Sequence, residues 1–268
     1  MSDNKKAVIV IPFYKSDLTA YERIALQQCF KVLSDHPVIA IKPAGLILPS
    51  EVTAYPFLTV VDFDDDYFKN VQSYNRLMLS AVFYKEFLSF EYTLIYQLDA
   101  FVFKDELNYW CSQGLDYIGA PWIREIPYNF FKSIKRNIQY YIHTRYNIQK
   151  NGLPSPKQFE YKVGNGGFSL RKTRKFYELC IKFSDKINHY NSQEHHLYNE
   201  DVFWSVEVNR KQRNLKIPGY KKALKFSVEF HPQRAFIINN GQLPFGCHAW
   251  DLTLDFWRPV FKEYGYVI

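Results

Sequence analysis

Four short segments carry the side chains whose types and spacing suit chemistry. Residues 96–101 (YQLDAF) end an apolar stretch in Gln97 and then Asp99. A carboxylate at the tip of a buried strand either caps a turn or binds a metal ion or a ribose hydroxyl, and residue type alone leaves both open. Residues 163–171 (VGNGGFSLR) place Gly164, Gly166 and Gly167 within four positions, before an amphipathic segment. Glycines so spaced predict either a plain turn or backbone at positive φ that approaches a ligand closely. Residues 199–204 (NEDVFW) set Glu200 and Asp201 before apolar Val202, Phe203 and Trp204. Such carboxylates either cap a buried helix or serve as a general base whose pKa is set by a half-apolar pocket. His248, in FGCHAW, is flanked by Cys247 and, two residues on, Trp250. A lone histidine among aromatics is a structural hydrogen-bonding residue or a ligand, and no zinc-type spacing surrounds it.

Something must carry these side chains to one place. Residues 7–12 (AVIVIP) are a β-branched run closed by Pro12, the pattern of a strand buried on both faces. Asp17 is a candidate N-cap for the helix that follows, in which Ile24, Leu26, Phe30 and Leu33 recur at helical spacing up to His36-Pro37. Residues 38–41 and 58–63 predict a second and a third strand, 71–88 one long helix, and 92–97 a fourth strand leading into LDAFVF. Beyond these lie a Pro/Gly/Ser loop at 152–157, a helix near 173–183 and a strand near 226–230. Strands alternating with helices imply right-handed βαβ units and a parallel sheet. Ligands gather at the carboxyl ends of such strands, hence just after Pro12, Phe63 and Gln97. No GxGxxG or GxxxxGK follows any strand, so dinucleotide-binding and P-loop assignments lose their main support.

Composition narrows the classes further. With 268 residues, 47% hydrophobic and 23% charged, the chain matches globular averages and is not disordered as a whole. A net charge of +7 suits an anionic partner (nucleotide, nucleic acid or lipid headgroup) without choosing among them. Cys29, Cys111, Cys180 and Cys247 are scattered, which predicts reduced thiols and a cytoplasmic location. The N-terminal apolar run is shorter than a signal sequence, and no stretch nears the roughly 20 apolar residues that span a bilayer. Residues 128–150 hold Lys132, Lys135, Arg136, Arg145 and Lys150, many rings and no acid. That composition predicts a helical insertion, either packed by its rings or facing an anionic acceptor or a membrane.

Taken in order, IYQLDAFVF, DYIGAPW, GNGGFSLR, NEDVFW and LPFGCHAW resemble the GT-A class of nucleotide-sugar glycosyltransferases, and more closely a family within it marked by these segments. The likeness runs from residue 7 to 257. It implies an α/β fold, GT-A-like (Rossmann-like), with a mostly parallel central sheet flanked by helices and a basic, aromatic helical insertion. A single catalytic domain (1–268) would divide into a nucleotide-binding half (1–122), the insertion (123–160) and an acceptor-side half (161–268). Pro12, Phe13 and Tyr14 would face the nucleotide base, and Arg76 would approach the nucleotide or its diphosphate. Gln97-Leu98-Asp99 occupies the place of the DxD motif, so Asp99 would hold a divalent cation, Mn²⁺ or Mg²⁺, with His248 as a late metal ligand. Gly166 and Gly167 would floor the sugar and acceptor pocket, and Asp201 or Glu200 matches the acceptor base of inverting members. The partners implied are a nucleotide-sugar donor, UDP-sugar favoured, and a glycan or glycolipid acceptor in glycoconjugate or polysaccharide synthesis. Nucleic acid is not among them, and contact with the inner face of a membrane would be peripheral.

Gln97 departs from the DxD pattern: its amide oxygen can coordinate but adds no negative charge. A register that aligns Asp99 with the first Asp would put Phe101 at the second. Two other classes compete. A sugar nucleotidyltransferase needs a basic glycine-rich loop after the first strand, where this chain reads PFYKSDLTAYER, without glycine. A non-catalytic module binding glycan or single-stranded nucleic acid through stacking and cations would leave Asp99, Glu200 and Asp201 without a task. Tyr117, Trp122 and Trp250 are candidate sugar platforms or core residues.

Overall fold

The computed structural model describes residues 5–268. Its centre is a six-stranded sheet of β1 (Lys5–Pro12), β2 (Val38–Pro43), β3 (Thr59–Phe63), β4 (Phe90–Tyr96), β6 (Tyr117–Ile118) and β9 (Phe168–Lys172). Strand order is β3-β2-β1-β4-β9-β6. The pairs β1–β2, β2–β3 and β1–β4 are parallel, whereas β9 runs antiparallel to both its neighbours. Two smaller sheets join β5 (Phe101–Val102), β10 (Ser227–Val228) and β11 (Gly246–Cys247), and β7 (Gln149–Lys150) with β8 (Leu153–Pro154). The mixed α/β architecture with a mostly parallel, helix-flanked sheet is the fold class expected from sequence.

Period-two alternation explains how β1 is buried. Ala7, Ile9 and Ile11 enter one apolar layer with the Ala20–Val32 helix, while Val8 and Val10 enter the opposite layer with Leu77, Phe83 and Trp204. A strand apolar on both faces belongs in the sheet's interior, and β1 lies between β2 and β4. A third apolar cluster packs the Leu254–Glu263 helix on β5 and β11 through stacked Phe101 and Phe261, with centroids 4.0 Å apart.

Local chemistry moved several boundaries. The first helix is capped by Thr19, not Asp17: Thr19 Oγ1 accepts from Glu22 N at 3.2 Å, and Glu22 Oε2 accepts from Thr19 N at 2.7 Å. The single helix expected over 71–88 is two, Val71–Met78 and Ala81–Glu86, because Ser80 Oγ caps Phe83 N at 3.2 Å and restarts the helix. The segment after the glycines is strand β9, paired on both sides, and the Thr173–Lys182 helix follows it directly. The strand expected near 226–230 shrinks to β10. Within 123–160, the Phe130–Arg145 helix precedes the β7–β8 hairpin, whose Asn151-Gly152 turn has positive φ at both residues (54° and 76°). That conformation suits Asn-Gly. No helix among the described residues is long and apolar enough to cross a membrane.

Candidate functional site

A cavity of about 990 Å³ opens beyond the carboxyl ends of β1 and β4, lined by Pro12 and Tyr14 from the first and by Gln97 and Asp99 from the second. After Tyr96 the chain turns, with Ala100 N donating to Gln97 O at 2.9 Å. It then enters β5, whose Phe101 pairs with Cys247 of β11. That antiparallel pairing, with His248 N donating to Val228 O at 3.0 Å, delivers His248 to Asp99 across a long stretch of sequence.

His248 Nε2 lies 3.0 Å from Asp99 Oδ1 and 3.1 Å from Gln97 Oε1. On the ring's other side, Nδ1 is 3.5 Å from Glu229 Oε1. Glu229 accepts a 2.6 Å hydrogen bond from Asn165 Nδ2, and Asn165 Oδ1 in turn accepts from Gly167 N at 3.0 Å. Burial alone would lower the imidazole pKa, but Asp99 and Glu229 outweigh it and push His248 up to about 10. Burial works to raise the Asp99 carboxyl, yet the adjacent His248 holds it below the usual carboxylate range.

These residues fit a divalent cation. Glu229 Oε2 is buried without a hydrogen-bond partner, and Asp99 Oδ1 meets the His248 ring, so the cluster keeps oxygen and nitrogen lone pairs that a cation could take up. Spacings of 3.0 and 3.1 Å match adjacent ligands of an octahedral ion, which stand about 3 Å apart when bonds are about 2.1 Å. Among the described residues no three or more His, Cys, Asp and Glu side chains form a metal-holding group. The carboxylate and imidazole become a three-point set only with the Gln97 amide.

The opposite wall is carboxylate-rich. The short Glu200–Ser205 helix presents Glu200 and Asp201 to the cavity. Glu200 Oε1 is 2.9 Å from Arg171 Nη2 in an ion pair whose members are 0% and 6% exposed. Arg171 also donates to Tyr84 Oη (2.8 Å), Ser169 Oγ (3.0 Å) and Gly166 O (3.3 Å). Burial raises the Glu200 carboxyl despite Arg171. Asp201 is half-buried and accepts from its neighbour Val202 N at 2.7 Å. Desolvation first, then the charges of Glu200 and Glu229, push its carboxyl well above the ordinary value.

Gly166 and Gly167 are required for space rather than for positive φ, which neither has. A Cβ on Gly166 would lie 1.9 Å from Glu200 Oε1. One on Gly167 would lie 1.9 Å from His248 Nε2 and 2.5 Å from Gln97 Oε1. The two glycines therefore separate the acidic wall from the Asp99–His248 cluster at van der Waals closeness.

Pro12, Tyr14, Gln97, Asp99, Gly166, Gly167, Glu200, Asp201 and His248 all line the cavity. Two expected residues do not. Phe13 is buried in the core edge-on to Phe57 (6.0 Å between centroids), because alternation turns it away from Tyr14. Arg76 donates to Asp66 O at 3.3 Å, while Tyr74 and Asn75 of the same helix face the cavity. The cation at the rim is Lys69. Tyr117 is a core residue, Trp122 packs over Gly164, and Trp250 is buried but touches the cavity. Sequence reasoning missed Asn165, Arg171 and Glu229. The first two sit inside the glycine segment, and Glu229 directly follows the two-residue strand β10.

The fold is similar to that of the galactosyltransferase LgtC, solved in complex with donor and acceptor sugar analogues. The TM-score is 0.54 at 14% identity, covering 90% of this chain and 86% of that one. An active-site mutant of LgtC gives a TM-score of 0.52 at 16% identity, with the same coverage. No curated protein matches the chain. Residues 57–248, which run from the approach to β3 as far as His248 itself, match the family described as protein of unknown function (DUF5672), and the chain belongs to that family.

Proposed function

We propose that this chain is a glycosyltransferase that moves a sugar from a nucleoside diphosphate sugar, a UDP-sugar by preference, to a hydroxyl of a glycan or glycolipid. One observation carries this: Asp99, Gln97 and His248 converge on one side of a single cavity, with Asp201 on the other. The similarity of fold to a galactosyltransferase supports it.

Tyr14, 57% exposed at the end of β1, offers a ring on which the base stacks. Asp99, Gln97 and His248 would hold the divalent cation, Mn²⁺ or Mg²⁺, which supplies charge neutralisation to the departing diphosphate. Lys69 at the rim, paired with Asp66, would add positive charge beside the diphosphate. Asn165 and Glu229 fix the His248 ring from behind. Arg171 holds Glu200 and, through Gly166 O, the glycine floor. Asp201 takes the proton of the acceptor hydroxyl, and its pairing to Val202 N orients it for that role. A positioned base of this kind contributes about 10²–10⁴-fold. Direct displacement with Asp201 as base inverts the anomeric centre.

A donor-hydrolysis screen over common nucleotide sugars, with and without Mn²⁺, tests the assignment. Metal-dependent release of one nucleoside diphosphate, abolished in Asp99→Ala, is expected. Turnover of no donor by protein that folds normally would reject it. NMR of the product anomer decides the stereochemistry, and retention removes Asp201 from the role of base.

A further inference from the structure

We propose that the Phe130–Arg145 helix and the basic hollow beside it form a docking surface for an anionic phospholipid bilayer. The helix is turned inside out relative to an ordinary surface helix, whose apolar stripe faces the core. Its protein-facing side is polar: Tyr140 Oη donates to Glu160, His143 Nδ1 meets Ser155 Oγ at 2.9 Å, and Thr144 O accepts from Arg210. Its outward side is apolar. Phe130 (73% exposed), Phe131 (82%), Ile134, Ile138, Tyr141 (67%) and Ile142 all point to solvent. At 100° per residue these six fall within one 120° arc, a continuous stripe of the kind that marks an interaction surface.

Charge selects the occupant. Between Glu125 and Glu160 there is no acidic residue, whereas Lys132, Lys135, Arg136, Arg145, Lys150 and Lys157 are all basic. Beside the stripe, a hollow of about 620 Å³ is lined by Lys132, Lys135, Arg136 and Lys157. Arg136 is additionally held over the Tyr128 ring, 5.4 Å from its centroid. Face-to-face pairing of two copies would bring these like charges together. An anionic bilayer instead offers acyl chains to the stripe and lipid phosphates to the flanking cations, the arrangement of an amphipathic helix lying in the interface plane. This surface stands independently of the chemistry assigned to the cavity.

Flotation of the full chain with vesicles of phosphatidylglycerol and phosphatidylcholine, against pure phosphatidylcholine, tests the proposal. The chain should bind the anionic vesicles, release them in high salt and ignore the neutral ones. Each cation near such a surface strengthens binding about fivefold, so Lys132→Glu/Lys135→Glu should weaken it at least about 25-fold. Phe131→Ser/Ile138→Ser should also release the chain. All four residues are exposed, so both variants should melt with the parent, and circular dichroism provides a second check of folding. No binding to anionic vesicles, equal binding to neutral ones, or unchanged binding by both variants overturns the proposal. So does a lipid-free dimer that Phe131→Ser/Ile138→Ser dissociates, which would make the stripe a self-association face.

Discussion

Replacing Glu200 with Gln keeps the shape of the side chain and removes the charge facing Arg171, which is fully buried. Stranding one member of a buried ion pair generally costs about 3–5 kcal/mol. Arg171 would keep its bonds to Tyr84, Ser169 and Gly166, which places the expected loss near the lower bound, about 3 kcal/mol. Against a total stability of about 5–15 kcal/mol, that is a large fraction, and it should lower the melting temperature by about 6–12 °C. Urea unfolding should show a shifted midpoint and an unchanged slope. Adding Arg171→Met to Glu200→Gln removes the stranded charge, so the double variant should recover much of the loss. A Glu200→Gln penalty below about 1 kcal/mol, or a double variant no better than the single, would refute the view that this pair sets the acidic wall.

The glycine floor predicts that Gly167→Ala, whose Cβ would collide with His248 Nε2 and Gln97 Oε1, costs about 1–3 kcal/mol by overpacking and removes metal-supported nucleotide binding; calorimetry with normal binding would contradict this. His248 has its pKa raised from 6.5 to about 10. Its contribution to the stability of the metal-free protein is therefore complete below about pH 6.5 and lost as the pH rises towards 10, measurable by thermal melts across that range. A cation displaces that proton, so Mn²⁺ affinity should rise about tenfold per pH unit over the same window; a flat titration would count against His248 as a ligand. Asp201 has the opposite charge and the same direction of shift. Its protonated form favours the fold, and that stability is lost as the pH rises through the raised pKa. Asp201→Asn should accordingly melt higher at neutral pH while transfer falls about 10²–10⁴-fold, and full activity in the variant would exclude it as base.

How much the sequence disclosed depended on how local the cause was. β1 and β4 were legible because two-sided burial demands an unbroken apolar run. The break at Ser80 was not, since helical periodicity continues on both sides of it and one hydroxyl decides the matter. The three-stranded sheet is built from two-residue strands, too short to leave a pattern, yet it joins Gln97 to His248 across 151 positions. That convergence was reachable only through the order of motifs. Asn165 and Arg171 stood in plain view within GNGGFSLR, but the glycines drew the interpretation towards backbone freedom when their function is to make room. Arg76 failed because a rotation of about 100° per residue on its helix faces Tyr74 and Asn75 inward and leaves the rim cation to Lys69.

The account turns on whether one cavity binds a nucleoside diphosphate through Asp99 and His248. Isothermal titration of UDP, with GDP and CMP as controls, in the presence and absence of Mn²⁺ measures this directly. Metal-dependent binding of UDP that disappears in Asp99→Ala is the predicted result. Heat from none of the three nucleotides under either condition, or binding that survives Asp99→Ala unchanged, would contradict it.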